Sequence, residues 1–411
     1  MNKKLKILSE PNRGSLFGSR EIDVIKKVIK SKGSLTRGEE IEKFEKDFTK
    51  LTKSKYAIAV TSCSAALRIA FQILNLNKND EVIIPVNAFW NSVNPIIESG
   101  AKIKVADVIP YNLTICPNSI KSLISKKTKA ILILNYAGIS CNFDEINKII
   151  KKTSIKIIED AAHATGTYYK KMHVGNKSDI SCFSFSTLKN ISTLGEGGMI
   201  VTSNKYYAKT ANMLRNCYPI GKKKIFKKIK HHYNLPNDTN FLRPGDNLNS
   251  KWSRLDILGS RYTMNSVSAA VGSQQLKSLN KFIKHRIRIS EIYNKWVMSK
   301  PNFEVINITP RSNSSWHLYV FFIKKKSKIN RNIFVEKLSK KYKLNIVNRY
   351  WPINDNSIMK FKKHSLGEAP IYENHWFNEM VSLPISQAMK INDAKEIVRR
   401  LEKTYLSMSI K

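Results

Sequence analysis

Between Ile157 and Gly198 the chain carries a carboxylate and a lysine whose spacing suits joint chemistry. Glu159-Asp160 closes the apolar run Ile155-Lys156-Ile157-Ile158. Lys189 follows Asp160 by 29 positions, at the end of Ser184-Phe185-Ser186-Thr187-Leu188-Lys189, and Gly195-Glu196-Gly197-Gly198 comes next. A carboxylate ending a strand, then a lysine in a loop bracketed by serines and glycines, is the pair that pyridoxal phosphate chemistry needs. The lysine amine holds the cofactor as a Schiff base. The carboxylate keeps the pyridine nitrogen protonated and so makes the ring a better electron sink. Lys189 and Asp160 are the catalytic candidates. Each also has a plainer reading: Lys189 as one solvated lysine among many, Asp160 as the cap of a helix beginning at Ala161-Ala162.

A third segment joins them. Ala57-Ile58-Ala59-Val60 reads as a short strand, and Thr61-Ser62-Cys63-Ser64-Ala65-Ala66-Leu67 turns it into a helix. Small polar residues at such a junction leave backbone N–H groups free at a helix N-terminus, a natural phosphate site. By itself this signal is weak, since many helices begin in the same way.

The elements that must position these segments alternate along the chain. Strand-like runs occupy Glu81–Pro85, Lys102–Asp107, Ala130–Leu134, Ile155–Ile158, Ile180–Phe185 and Met199–Thr202, and helical patterns fill 91–99, 117–125 and 143–152. Two amphipathic helices precede them, one over 20–32 and one through Ile41, Phe44, Phe48 and Leu51. This βα alternation predicts an α/β fold with a mostly parallel sheet covered on both faces. Ligands of such sheets sit at the carboxyl ends of the strands, and Ser62, Asp160 and Lys189 all follow strands. After an irregular stretch over 217–258, a long helix is expected over 265–298, with Ala269, Leu276, Leu279, Ile283 and Ile287 on its buried side. It leads from a large domain over 1–280 into a smaller α+β domain over 281–411. The smaller domain has strands near 316–323 and 344–350 and a final helix near 391–407.

Composition narrows the class. No apolar run is long enough to span a bilayer, and the N-terminus lacks an apolar core of signal-peptide length. The five cysteines (Cys63, Cys116, Cys141, Cys182, Cys217) are scattered without CxxC spacing, so neither a disulfide framework nor a zinc site is indicated, and the expected compartment is the cytoplasm. A net charge of +40 admits an anionic partner, nucleic acid included. The lysines are spread along the whole chain, however, which favours solvated faces, and no recognition motif with interleaved aromatics accompanies them. The densest basic cluster, Lys222–His232, looks like an insertion between elements.

Taken together, these segments resemble the DegT/DnrJ-type (StrS-like) sugar aminotransferases, a branch of the fold-type I pyridoxal-phosphate enzymes. The resemblance runs through nearly the whole chain. Its marks are Leu35-Thr36-x-Gly38 with Phe44-Glu45, Ala59–Leu67, Asp80–Pro85, Glu159-Asp160-Ala161-Ala162-His163, Ser184-Phe185-x-x-x-Lys189 with Gly195–Gly198, Ser315–Tyr319, and Leu383-Pro384. It implies that Lys189 holds pyridoxal 5′-phosphate and moves the proton, and that Asp160 pairs with the pyridinium nitrogen. It further implies that His163 and Phe89 lie against the cofactor ring, and that Ser184 and the amides of Ser64 and Ala65 hold the phosphate, with Ser62 close by. The family often has Gly-Thr where this chain has Cys63-Ser64, and His where it has Asn135. The entry to the long helix, usually Gly-x-Asn-x-Arg, reads Gly259-Ser260-Arg261-Tyr262-Thr263 here. Arg261 is therefore the residue expected to reach a phosphate in the neighbouring subunit of a homodimer. The implied reaction moves an amino group from glutamate or glutamine to a keto sugar, nucleotide-linked, for surface polysaccharide or related amino-sugar synthesis. Three alternatives stand beside it: an aminotransferase for a keto sugar without a nucleotide, a pyridoxal-phosphate-dependent sugar dehydratase, and a non-catalytic nucleic-acid-binding protein. Dehydrating members usually carry histidine in place of the lysine, which Lys189 argues against.

Overall fold

The computed structural model describes residues 6–10, 14–36, 38–216, 259–355, 357 and 367–409. The whole irregular stretch expected over 217–258, with Cys217 and the basic cluster 222–232, lies outside the described residues. The alternation read from the sequence becomes one seven-stranded sheet. Its strands are β1 (Tyr56–Val60), β2 (Glu81–Pro85), β3 (Lys102–Ala106), β4 (Thr128–Leu134), β5 (Lys156–Asp160), β8 (Ile180–Ser184) and β9 (Gly198–Thr202), in the order β1-β9-β8-β5-β4-β2-β3. Between β5 and β8 the short strands β6 (Tyr168–Tyr169) and β7 (Met172–His173) pair as a hairpin. Only β9 runs against its neighbours, pairing antiparallel with β8 and β1. β1, β5 and β8 therefore deliver their last residues to the same edge of the sheet.

Both faces are apolar because successive side chains of a strand point to opposite sides. Ile58, Val60, Leu132, Leu134, Ile158 and Cys182 belong to one core, and Ala57, Ala59, Ile131, Ile133, Ile157 and Phe183 to the other. The first face carries α3 (Cys63–Leu74), α4 (Trp90–Glu98) and α7 (Lys205–Asn216). The second carries α2 (Glu39–Thr52) and α6 (Phe143–Ile150). Among its aromatics, the Phe48 ring meets Phe183 at 4.9 Å and Phe185 at 5.5 Å. Glu45, on α2, accepts the Ala59 N–H at 2.8 Å and pairs with Arg215 of α7, so two helices hold β1 three residues before Ser62.

The long helix α8 (Ser266–Met298) packs against α1 (Ser19–Lys30) and α2 through its first half. Its last turns bury Tyr293, Trp296 and Val297 against a second sheet. That sheet is antiparallel, in the order β10 (Phe303–Val305), β11 (Tyr319–Ile323), β12 (Met380–Leu383). Helices α9 (Arg331–Lys340), α10 (Pro370–Asn374) and α11 (Ile391–Ser409) complete the C-terminal region, after the short α5 (Pro117–Leu123) earlier in the chain. The strand expected over 344–350 does not form. Leu344 makes one bridge, with Leu8, and the edge of β12 is met instead by the Asn348 side chain, which donates to the Met380 carbonyl and accepts the Ser382 N–H, both at 3.0 Å. A side-chain amide thus stands in for a fourth strand's backbone, and 349–350 are released to line the site.

Candidate active site

The carboxyl ends of β1, β5 and β8 open into a cavity of about 760 Å³. Strand alternation separates the two acids at the end of β5. Glu159 points away from the cavity and is fully buried, held by Asn135 Nδ2 and Ser181 Oγ, each at 2.6 Å, and by the Gly175 N–H at 3.1 Å. Asn135, the departure noted in the sequence, is thus spent on Glu159 and lies outside the site. Asp160 faces the cavity and divides its oxygens. Oδ1 accepts the Ala162 N–H at 3.0 Å, the capping role, while Oδ2 accepts the Ser92 hydroxyl at 2.6 Å. Burial pushes the Asp160 carboxyl above its ordinary value, partly offset by Ser92, Ala162 and the Lys189 charge. A buried carboxylate in this state gains from a further N–H or cation within reach.

Lys189 hangs from the loop after β8. Its N–H donates to the Ser186 carbonyl at 2.9 Å, and its own carbonyl accepts Gln387 Nε2 at 3.2 Å. Nζ lies 3.4 Å from His317 Nε2. Burial draws the amine from 10.5 down to about 8, and Arg349 adds to the fall, while Asp160, Cys63 and Glu10 oppose it. An amine titrating near 8 supplies neutral nucleophile close to neutral pH and is matched to proton transfer there.

Beside the amine stands a wall of rings. His163 and His317 lie 4.3 Å apart, and Tyr350 stacks on His163 at 5.7 Å and meets Phe89 at 5.0 Å. The Ala137 N–H points at His163 Nδ1 at 3.3 Å, so Nδ1 accepts and the ring proton sits on Nε2, which donates to the Tyr350 hydroxyl at 3.0 Å. Burial and the nearby Lys189 charge hold both histidines well below their ordinary value, hence neutral. A neutral, flat His163 suits a stacking role.

The third strand end forms an anion cradle. Ser62 caps α3, its Oγ accepting the Ala65 N–H at 3.1 Å, and its carbonyl accepts the Ala66 N–H at 3.1 Å. The amides of Cys63 and Ser64 are left without an acceptor among the described residues, at the positive end of a helix. Ser184 and Ser186 also line the cavity. Gly198 backs this turn: a Cβ there would collide with the Ser62 and Cys63 backbone, so the last glycine of the 195–198 run lets β9 approach α3.

Of the residues singled out in the sequence, Ser64, Phe89, Asp160, His163, Ser184 and Lys189 line the cavity, with Ser62 beside them. Ala65 does not. Its N–H is consumed by the Ser62 cap, and Cys63 holds the free amide instead. Arg261 is exposed and outside this cavity, beside the outer edge of β1, where the Thr61 N–H donates to the Tyr262 carbonyl at 2.8 Å and Val60 bridges Thr263. Ser92, Glu10, Arg349 and Tyr350 also line the cavity, though their types and spacing give no local signal; they arrive from the N-terminus, from α4 and from the segment after α9. His317 was visible only as part of the Ser315–Tyr319 run. Behind it, fully buried Arg286 of α8 donates through Nε to Gln387 Oε1 at 2.9 Å and through Nη1 to the Trp316, His317 and Ile385 carbonyls at 2.9–3.2 Å. Gln387 in turn grips the carbonyls of Lys189 and Asn190, so one guanidinium fixes both partners of the Lys189–His317 contact.

These groups fit pyridoxal phosphate: two orphan amides with serine hydroxyls for the phosphate, a carboxylate facing inward for the ring nitrogen, stacking rings, and a lysine with a lowered pKa. When bound, the cofactor supplies an electron sink for the carbon whose nitrogen is exchanged. The chain's own residues do the rest. Ser92 and Ala162 aim Asp160, His163 would pack against the cofactor ring, and Lys189, loosened from its proton by burial, could accept and return a proton at Nζ.

Comparison with known proteins gives the family. The model of the DegT/DnrJ/EryC1/StrS aminotransferase family matches residues 17–402. The uncharacterized protein MJ1066 of Methanocaldococcus jannaschii is 31% identical over 94% of this chain and 95% of its own length. The spore coat polysaccharide biosynthesis protein SpsC of Bacillus subtilis is 28% identical over 93% of this chain and 94% of its own. Among solved structures, an E. coli GDP-4-keto-6-deoxy-D-mannose-3-dehydratase with bound hydrated PLP superposes with a TM-score of 0.82 at 26% identity, covering 96% of this chain and 100% of that one.

Proposed function

The chain belongs to the DegT/DnrJ/EryC1/StrS aminotransferase family, a pyridoxal-phosphate-dependent family of polysaccharide and amino-sugar biosynthesis, and we propose that it transfers an amino group from L-glutamate or L-glutamine to a nucleotide-linked keto sugar destined for surface polysaccharide. The observation that carries this reading is Lys189: a cavity lysine drawn to about 8, beside His317 and within electrostatic reach of Asp160. Two half-reactions on one lysine require no second catalytic cluster. Dehydration of the sugar is the second reading, favoured by the 26% identity with a sugar dehydratase. It needs the lysine replaced by a residue that does not release the cofactor's amine, and Lys189 opposes it.

The enzyme works in the cytoplasm as a homodimer, divided near residue 280 into a larger cofactor domain and a smaller one. Exposed Arg261 reaches the neighbouring subunit's site, where its planar fork suits a phosphate. Leu16, Ile22 and Leu35, apolar yet 44–51% exposed, are supplied with cover by the second copy. The test loads the enzyme with amine, removes free donor, and offers 4-keto and 3-keto deoxysugars with and without a nucleoside diphosphate, with mass spectrometry of the products. An amino sugar formed from the nucleotide-linked compounds supports the reading, formation from the free sugars alone replaces it, and a deoxygenated sugar selects dehydration. Mixing Lys189→Ala with Arg261→Ala subunits recovers activity if sites are shared; verified heterodimers without activity refute the sharing.

A further inference from the structure

Besides Glu196, two charged side chains of the cavity wall hold no cofactor group and move no proton in the chemistry above. Arg349 and Glu10, 339 positions apart, meet fork to fork: Nη1 donates to Glu10 Oε1 at 3.0 Å, and Nη2 pairs with Oε2. Both side chains remain about a quarter open to solvent, at 23% and 22%. The backbone at 349–350 is placed without help from Glu10. The Tyr136 hydroxyl donates to its carbonyl, and the next residue, Tyr350, is tied to the Tyr372 hydroxyl through its N–H at 3.0 Å and its carbonyl at 2.6 Å. The two charged ends, the Arg349 guanidinium and the Glu10 carboxylate, have each other as their one hydrogen-bonding partner among the described residues. Among the described residues that line the cavity, Lys189 and Arg349 are the cations. The Lys189 amine is committed to the cofactor, which leaves Arg349 for an anionic substrate group.

We propose that Arg349 receives the α-carboxylate of the amino-acid donor and that Glu10 is its displaceable stand-in, covering the guanidinium whenever no donor is bound. The inference rests on the donor reading above and deepens it. A carboxylate already occupies the bidentate face of the guanidinium, the geometry in which arginine holds carboxylates most strongly. The donor's α-carboxylate is bonded to the carbon whose amine is exchanged, so it must lie near Lys189. Arg349 is joined to that amine by consecutive contacts through Tyr350, His163 and His317, and its charge is felt at Lys189. The diphosphate of a sugar nucleotide hangs from the anomeric carbon, away from the reacting ketone. The exchange also answers a demand of the reaction: one cavity must accept an anionic group, then a keto sugar with no carboxylate at the reacting carbon. A partly buried guanidinium left bare in the second half-reaction is costly, and the returning Glu10 neutralises it.

Calorimetric titration of the cofactor-loaded enzyme with glutarate reads carboxylate binding without turnover. Arg349→Gln weakens binding by ~10- to 100-fold, the loss of a charge-assisted bidentate pair, and Arg349→Lys restores part of it, since lysine keeps the charge but not the fork. Glu10→Gln tightens binding, because the competing carboxylate is gone; a purely structural ion pair has no reason to move in that direction. Unchanged or weaker glutarate binding in Glu10→Gln overturns the proposal. So does a loss of UDP binding in Arg349→Gln with glutarate binding intact, which reassigns Arg349 to a phosphate. The absorption change on adding L-glutamate or L-glutamine is recorded in parallel. A wild-type enzyme silent to both, with glutarate binding still shifting in the two opposite directions, removes those two donors while the exchange stands.

Discussion

The lowered pKa of Lys189 yields a prediction that needs no cofactor and no substrate. Moving the amine from 10.5 to about 8 disfavours the ammonium by roughly 3 kcal/mol. At pH 7 about a tenth of such amines are neutral, against about three in ten thousand for an ordinary lysine, roughly a 300-fold gain in nucleophile. Trace acetylation of the cofactor-free protein, read peptide by peptide in the mass spectrometer from about pH 6 to about pH 11, gives the titration of this one residue among the many lysines. Its labelling should reach half its plateau near pH 8, well below the ~10.4 of an ordinary lysine side chain. Asp160→Asn should move the Lys189 midpoint further down, because the Asp160 charge supports the ammonium. A midpoint near 10.5, or one that rises in Asp160→Asn, would refute the claim that burial tunes this lysine. The sign for stability follows as well. Between about 8 and 10.5 the unfolded chain binds the proton that the folded chain has released, so this residue's contribution to the stability of the cofactor-free protein grows as pH rises through that window.

Other perturbations have defined outcomes. Arg286→Met leaves the Trp316, His317 and Ile385 carbonyls and Gln387 without their donor; it should cost about 3–5 kcal/mol in denaturant melts, and stability within 1 kcal/mol of wild type would show that the network is dispensable. Gln387→Leu releases the Lys189 and Asn190 carbonyls and the Arg286 Nε–H but leaves Arg286 its three carbonyl partners, so it should slow cofactor capture with a smaller loss of stability than Arg286→Met; equal effects on both would remove its positioning role. Gly198→Ala forces β9 away from the Ser62 turn and should weaken pyridoxal phosphate binding more than it weakens binding of pyridoxal, which lacks the phosphate; equal losses would place the phosphate elsewhere.

Much of this site was legible because it is built from short local patterns. The strand–Ser62–helix turn, the β5 acid pair and the loop from Ser184 to Lys189 each lie within a dozen residues, and the βα alternation puts their ends on one edge of the sheet. Period-2 alternation also separates Glu159 from Asp160, although only the structure shows Glu159 engaged by Asn135 and Ser181. What the sequence hid is non-local. Ser92 looks like any helix serine, and nothing near Glu10 indicates a partner 339 positions away. The strand expected at 344–350 was misread for a related reason. Its apolar residues satisfy β periodicity, but the Asn348 side chain takes the edge of β12 and the backbone turns into the cavity. The short β10 and β12 were missed because three or four residues give too little period to read. The helix-entry segment shows the opposite limit: the changed residues of 259–263 were visible, but one chain places Arg261 outside its own cavity.

The central claim is that Lys189 and Asp160 hold a cofactor that takes up an amine. The most direct test is the absorption spectrum of the purified, pyridoxal-phosphate-loaded protein before and after adding L-glutamate, with Lys189→Ala alongside. The wild-type protein should show a band of lysine-bound cofactor that is absent in Lys189→Ala and gives way to the pyridoxamine band when the donor is added. A wild-type protein that shows no cofactor band, or a Lys189→Ala protein that keeps the wild-type band, would contradict it.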